Sequence, residues 1–229
     1  MYTAVIIEPR NHKALNLVLS NFNENLNNDW KFLIYHGNSN KEFIEEITKN
    51  NNMDHRCKMI SLNINNLSID HYNKLLYNEY FYTNIDTDYF LIFQTDTLIS
   101  NKYKDNIYKF LHYDYVGAPW KIINKVGNGG LSLRKKSKML EMLKKGGYIK
   151  DNGEVHYEDR FFTNTCGNDI GIGLNIPTIE EAKFFSVETI FSNNSFGLHK
   201  PWNYLTSEEL NLLKNNFPEL EELILLNKS

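Results

Sequence analysis

Four short stretches of this 229-residue chain gather the side chains able to do chemistry. They are Gln94-Thr95-Asp96 after an apolar run, the glycine-marked Gly127-Asn128-Gly129-Gly130, the acidic pair Glu158-Asp159, and His199-Lys200 ahead of Pro201-Trp202. Carboxylates and imidazoles take up protons and bind cations, and glycines let backbone come close to a ligand. Each stretch also has a plainer explanation. Asp96 caps a turn after a core strand, Gly127 to Gly130 form a tight turn between strands, Glu158-Asp159 open a helix whose dipole favours acids, and His199 is a structural histidine.

The elements that must position these residues follow from hydrophobic periodicity. Tyr89 to Phe93 is a five-residue apolar and aromatic run, as expected of a strand buried on both faces at the centre of a sheet. In open α/β sheets ligands sit beyond the carboxyl ends of the strands, which places Gln94, Thr95 and Asp96 where chemistry occurs. Upstream, Thr3 to Ile7 reads as a first strand and Glu8-Pro9-Arg10-Asn11 as its turn. Leu15, Val18, Leu19, Phe22 and Leu26 recur at helical spacing. Trp30 to Tyr35 is a second strand, His36 to Asn38 its turn, Lys41 to Ile47 a helix, Met59 to Leu62 a weaker strand and Asp70 to Phe81 a helix. This βα alternation specifies a doubly wound, mostly parallel sheet flanked by helices. Beyond Asp96 the rhythm gives way to short segments, then helices over Lys136 to Lys145, Glu208 to Leu213 and Leu220 to Leu226.

A composition 41% hydrophobic and 14% aromatic supports one large α/β domain. With 25 basic and 28 acidic side chains the formal charge is -3, which excludes an overall polycation for nucleic acid. Cys57 and Cys166 show no zinc-ligand spacing and no disulfide framework. No stretch of eighteen apolar residues and no signal-peptide pattern is present, so the expectation is a soluble, unanchored, cytoplasmic protein.

Taken together and in order, these stretches resemble the plan of GT-A glycosyltransferases, which transfer a sugar from a nucleotide donor. The chain is most similar to a family of uncharacterised domains assigned to that superfamily. Gln94 to Asp96, Tyr113 to Trp120, Gly127 to Arg134, Glu158-Asp159 and His199 to Trp202 carry the resemblance. A more distant similarity is to inverting galactosyltransferases, whose first strand ends in a turn that holds uridine; Pro9, Arg10 and Asn11 occupy that turn here. Such families carry Asp-X-Asp where this chain has Gln94-Thr95-Asp96, which leaves Asp96 in the place of the metal ligand.

The resemblance implies one GT-A-like domain over residues 1–229, with a nucleotide-sugar-binding half (1–96) and an acceptor-binding, catalytic half (97–229). It implies Mn2+ or Mg2+ held by Asp96 and His199, a UDP-sugar donor, and a carbohydrate or glycosylated acceptor. Asp159 would be the general base of an inverting transfer and Glu158 would bind hydroxyls. Pro9, Arg10, Asn11, Gln94, Thr95, Gly129, Gly130, Lys200 and Trp202 would contact the donor; Trp120 and Trp202 offer faces for sugars or for core packing. Two rival readings use the same parts: a metal-dependent nucleotidyltransferase, against which the first loop lacks a Gly-rich triphosphate-binding stretch, and a non-catalytic nucleotide-sugar-binding module.

Overall fold

The computed structural model describes residues 1–165 and 171–228; Cys166, one of the two cysteines weighed above, lies outside them. The first half alternates as the periodicity requires: β1 (Tyr2–Glu8), α1 (Leu15–Asn25), β2 (Trp30–His36), α2 (Lys41–Asn50) and β3 (Cys57–Ser61). Glu8 and His36, expected in turns, are the last residues of their strands. The helix expected over Asp70 to Phe81 is two, α3 (Ile69–Leu76) and α4 (Glu79–Thr83). The Asn78 side chain accepts the Tyr80 N–H at 2.9 Å and starts α4 afresh, because Asn is a strong helix N-cap. β4 (Tyr89–Phe93) and β5 (Thr97–Ile99) follow.

The second half supplies β6 (Tyr115–Gly117), the hairpin β7 (Pro119–Trp120) and β8 (Lys125–Val126), β9 (Ser132–Lys135), α5 (Lys136–Lys145), α6 (Glu158–Phe162) and α7 (Ile179–Ala182). β10 (Ser186–Val187), β11 (Gly197–His199), α8 (Ser207–Leu213) and α9 (Leu220–Lys228) complete it. The central sheet runs β3-β2-β1-β4-β9-β6. β3, β2, β1 and β4 are parallel, and β9 is antiparallel to both β4 and β6. Both halves of the chain thus share one sheet.

The central strands are apolar throughout because both faces are covered. Ala4, Ile6, Phe32, Ile34, Leu91 and Phe93 face a core that includes Leu15, Val18, Leu19 and Phe22 of α1 and the C-terminal Leu213, Leu220 and Leu223. Phe22 stacks on Phe93 with centroids 4.0 Å apart. Val5, Ile7, Leu33, Tyr35, Phe90 and Ile92 face a second core with Leu76, Tyr82, Met139, Met142, Phe161 and Phe162. Each buried Val, Leu, Ile, Phe or Met among them contributes about 1.5–3 kcal/mol over an exposed one, which fixes the strand register and so the positions of the residues that follow each strand.

From β1 the chain winds outward through β2 to β3, then returns to place β4 on the other side of β1. This reversal is a topological switch point, where diverging connections leave a crevice over the strand ends. Among the described residues no helix is long and apolar enough to cross a membrane.

Candidate functional site

A cleft of about 500 Å³ opens over the carboxyl ends of β1 and β4. Gln94, Thr95 and Asp96 continue β4 into it, and Glu8, Pro9, Arg10 and His12 continue β1. The loop after β3 supplies Asn66 to Ser68, and α3 supplies Ile69, Tyr72 and Asn73. Asn128 to Gly130, Tyr157 to Asp159, His199 and Lys200 come from the second half, with Asn227 from the last turn of α9. Asn227 donates to the Thr95 carbonyl at 3.0 Å, which ties the C-terminal helix to the residue beside Asp96.

Asp96 and His199 are distant in sequence and meet through the antiparallel pairing of β5 with β11, which sets His199 opposite Thr97. The imidazole is 2% exposed and lies between two carboxylates, Nε2 at 3.3 Å from Asp96 Oδ1 and Nδ1 at 3.1 Å from Glu188 Oε1. These are charge contacts without hydrogen-bond alignment: Asp96 Oδ1 and both ring nitrogens are buried polar atoms with no hydrogen-bonded partner. Burial alone would lower the basicity of His199, but the Asp96 and Glu188 carboxylates override it and raise the imidazole to about 9. Burial pushes Asp96 the other way as well, and there His199, then Lys200, prevail and hold the carboxyl below its ordinary value. The Lys200 N–H donates to the Asp96 carbonyl at 2.9 Å, and Lys200 adopts a left-handed backbone, φ +33°. A non-glycine residue there is uncommon and carries strain, a condition found at functional sites.

The glycine loop makes this packing possible. A Cβ on Gly130 would lie 2.2 Å from His199 Nε2, and one on Gly129 would lie 2.4 Å from Glu158 Oε1. Backbone therefore presses directly on the ring and on the acidic pair, and no other residue type fits.

Asp159 sits in the first turn of α6, and that helix is pinned from two directions. Arg134 of β9, 0% exposed, grips the Glu158 carboxylate with Nη1 at 2.5 Å and Nη2 at 2.9 Å. Asn73 of α3 accepts the Glu158 N–H at 3.0 Å. The Arg134 guanidinium also lies 4.8 Å from the centre of the Tyr115 ring, so the ion pair is enclosed by aromatic surface. Both Glu158 oxygens are engaged by Arg134, so the geometry gives Glu158 an anchoring place rather than a free carboxylate for hydroxyls. Asp159 accepts from Gly129 N at 3.3 Å and from Arg160 N at 2.7 Å. Burial, then the neighbouring Glu158 charge, outweighs these bonds and raises the Asp159 carboxyl to about 7.

The turn after β1 reaches the cleft in part. Pro9 and Arg10 line it, with the Arg10 guanidinium folded onto Glu8 at 2.7 Å. Asn11, expected to contact the donor, is exposed and outside the lining; the chain turns so that His12 faces inward instead. Trp202 is a second correction: it packs against the α1-side core rather than lining the cleft. Trp120 is half-buried in the hairpin and also lies off the cleft.

Glu188, His12, Tyr72 and Asn227 do not figure among the residues the sequence points to, and Arg134 figures only as the end of the Gly127–Arg134 stretch, with no role. Glu188 had a legible signal, since Phe184-Phe185-Ser186-Val187 ahead of an acid repeats the pattern that singled out Asp96. Arg134 had one too, as the inward charged member of an alternating Leu-Ser-Leu-Arg strand. His12, Tyr72 and Asn227 had none.

As to a metal, Asp96 and His199 offer one hard oxygen and one imidazole nitrogen. Cis ligands at roughly 2.1–2.3 Å from one ion stand about 3.0–3.2 Å apart, close to the observed 3.3 Å, and both atoms lack another partner. Among the described residues no group of three or more His, Cys, Asp or Glu converges as a metal site. A cation here needs its remaining positions filled by ligand oxygens and water.

A mixed α/β fold with a central, mostly parallel six-stranded sheet and a cleft at its switch point is the GT-A-like architecture. The glycosyltransferase GlyE of Streptococcus pneumoniae TIGR4 shares it at TM-score 0.57 and 11% identity, over 98% of this chain and 62% of GlyE. S. aureus TarS shares it at 0.53 and 12%, over 96% of this chain and 39% of TarS, and HddC of Yersinia pseudotuberculosis at 0.50 and 11%, over 95% of this chain and 100% of HddC. At such identities the likeness is one of fold. This chain spans less than two thirds of GlyE and of TarS. No curated sequence matches it. The chain belongs to the family described as "Protein of unknown function (DUF5672)", whose model matches residues 56–199.

Proposed function

We propose that the protein is a metal-dependent glycosyltransferase that moves a sugar from a nucleotide-diphosphate donor, UDP-sugar being the expected one, to an acceptor hydroxyl with inversion. The observation that carries this reading is the pairing of two kinds of group across one short loop. Gly129 bonds Asp159, a carboxyl raised to about 7, while Gly130 lies against His199, beside Asp96. A general base works best when its basicity matches the working pH.

In this reading the chain's residues divide the work. Pro9 and Arg10 receive the nucleoside at the end of β1, and Gln94 and Thr95 lie beneath the donor. Lys200 offers its ammonium to the diphosphate. Asp96 and His199 would hold Mn2+ or Mg2+, whose chemistry is to neutralise the charge developing on the leaving diphosphate. Asp159 takes the proton of the acceptor hydroxyl as it attacks, and Arg134 through Glu158 keeps α6, and with it Asp159, in place.

The test is thermal melting with a panel of nucleotide sugars in Mn2+, then turnover and the anomeric configuration of the product by NMR. A donor that binds the native state raises the melting temperature by mass action. Donor binding without turnover assigns a binding module, and a product that retains the donor's configuration overturns inversion.

A further inference from the structure

The buried Glu188 belongs to neither the acceptor side nor the metal pair, and its burial demands a reason. An ionised carboxylate removed from water is costly unless it is paired and hydrogen-bonded. Glu188 is 2% exposed. Its Oε1 receives the Asn128 Nδ2–H at 3.0 Å and stands 3.1 Å from His199 Nδ1. Asn128 in turn accepts the Gly130 N–H through Oδ1 at 2.9 Å, and Gly130 is the residue on which the ring rests. One carboxylate therefore touches the far nitrogen of the imidazole and, through one amide, the loop beneath that imidazole.

We propose that Glu188 is a positioning residue for His199: it holds Nδ1 and so commits Nε2 to the Asp96 side as the atom offered to a cation. The inference rests on the metal-dependent reading above. Its chemical logic is that of a ligating histidine whose second nitrogen is engaged by a carboxylate, which fixes the tautomer and ring orientation and raises ligand basicity. Asn128 joins the same arrangement, because it fixes the Glu188 oxygen and the glycine loop at once. Glu188 directly follows the two-residue β10 (Ser186–Val187), which pairs in parallel with β11, so the pairing of those two strands brings its carboxylate beside the ring. The short strand thereby acquires a purpose in the site.

The experiment measures Mn2+ affinity directly, by electron paramagnetic resonance of free Mn2+ in the presence of UDP, on the full chain and its Glu188→Gln variant. Gln keeps the size and one acceptor oxygen and removes the charge. The affinity is expected to fall by about 10- to 100-fold, with the melting temperature of the Mn2+-free protein preserved. Unchanged affinity in the Glu188→Gln variant overturns the proposal. A readout without metal separates the two readings: 15N NMR of the metal-free protein is expected to show one fixed environment for His199 Nδ1, set by the Glu188 oxygen 3.1 Å away, that shifts and broadens in Glu188→Ala as the ring loses its anchor. That result in a protein that binds no Mn2+ leaves Glu188 as the anchor of the ring and sinks the metal reading alone. A ring signal indifferent to Glu188 sinks the positioning role.

Discussion

Asp159→Asn leaves the outline of the α6 start intact and removes a charge whose position is costly to the fold. The Asp159 carboxyl rises from its ordinary 3.8 to about 7, and at 1.36 kcal/mol per unit that displacement is at most about 4 kcal/mol. Its folded-state value lies above its unfolded one, so its contribution to stability is fully present below the unfolded value and is lost as pH rises through about 7. Above pH ~8 the wild type therefore carries a charged, partly buried Asp159 that the Asn variant lacks. Asn keeps one acceptor for the N–H groups of Gly129 and Arg160 and loses the other, so part of the gain is cancelled. A net stabilisation of at least about 1 kcal/mol at pH ~9 is expected, a rise of about 2–4 °C in melting temperature, and none at pH ~4. Transfer moves the opposite way. Loss of a general base costs roughly a hundred- to ten-thousand-fold, while donor affinity stays within about a factor of three because the base acts on the acceptor in the transition state. In the wild type kcat/KM should climb about tenfold per pH unit below ~7 and level off above ~8. Melting scans at the two pH values and a pH–rate profile with the preferred donor measure all of this. A variant that transfers as fast as wild type, or a wild-type profile flat from about pH 5 to 8, refutes Asp159 as the base.

Four further outcomes are expected. Asp96→Asn and His199→Ala should abolish Mn2+-dependent donor binding in calorimetry while the protein stays folded. Wild-type Mn2+ affinity should increase as pH rises toward about 9, since the metal competes with the proton His199 holds; full donor turnover in excess chelator would falsify both. Arg134→Met should destabilise by about 3–5 kcal/mol in denaturant unfolding, because Glu158 is left charged and buried without its partner, whereas a loss under about 1 kcal/mol would mean that the pair does not anchor α6. Arg10→Ala should weaken UDP binding by about 1 kcal/mol or more, the worth of a charged hydrogen bond; unchanged affinity, or tighter binding of guanosine or cytidine diphosphate, moves the nucleoside elsewhere.

Much of the fold was legible because hydrophobic period is a local property. The two-sided apolarity of β1, β2 and β4 marked a doubly wound sheet, and α1 and α5 followed from spacing alone. The break between α3 and α4 was missed because the inward residues continue across it, and one Asn cap decides it locally. In the site, Asp96 stood out because it follows the carboxyl end of a buried strand, whereas the Glu158-Asp159 pair, which by itself reads as acids opening a helix, stood out only through the resemblance.

What local pattern could not contain is the pairing across the fold. That His199 faces Asp96 depends on the β5–β11 register, and that Glu188 reaches the same ring depends on β10 beside β11. Glu158 and Asp159 are identical in kind and adjacent in sequence. Only the tertiary structure separates them, turning one toward Arg134, where an ion pair satisfies it, and leaving the other at the cleft, where burial and its neighbour's charge hold it near neutrality. Sequence sets which side chains carry charge. The burial and the neighbouring charges that tune each of them arise from segments far apart in the chain, and those come together only when the two cores close on the sheet.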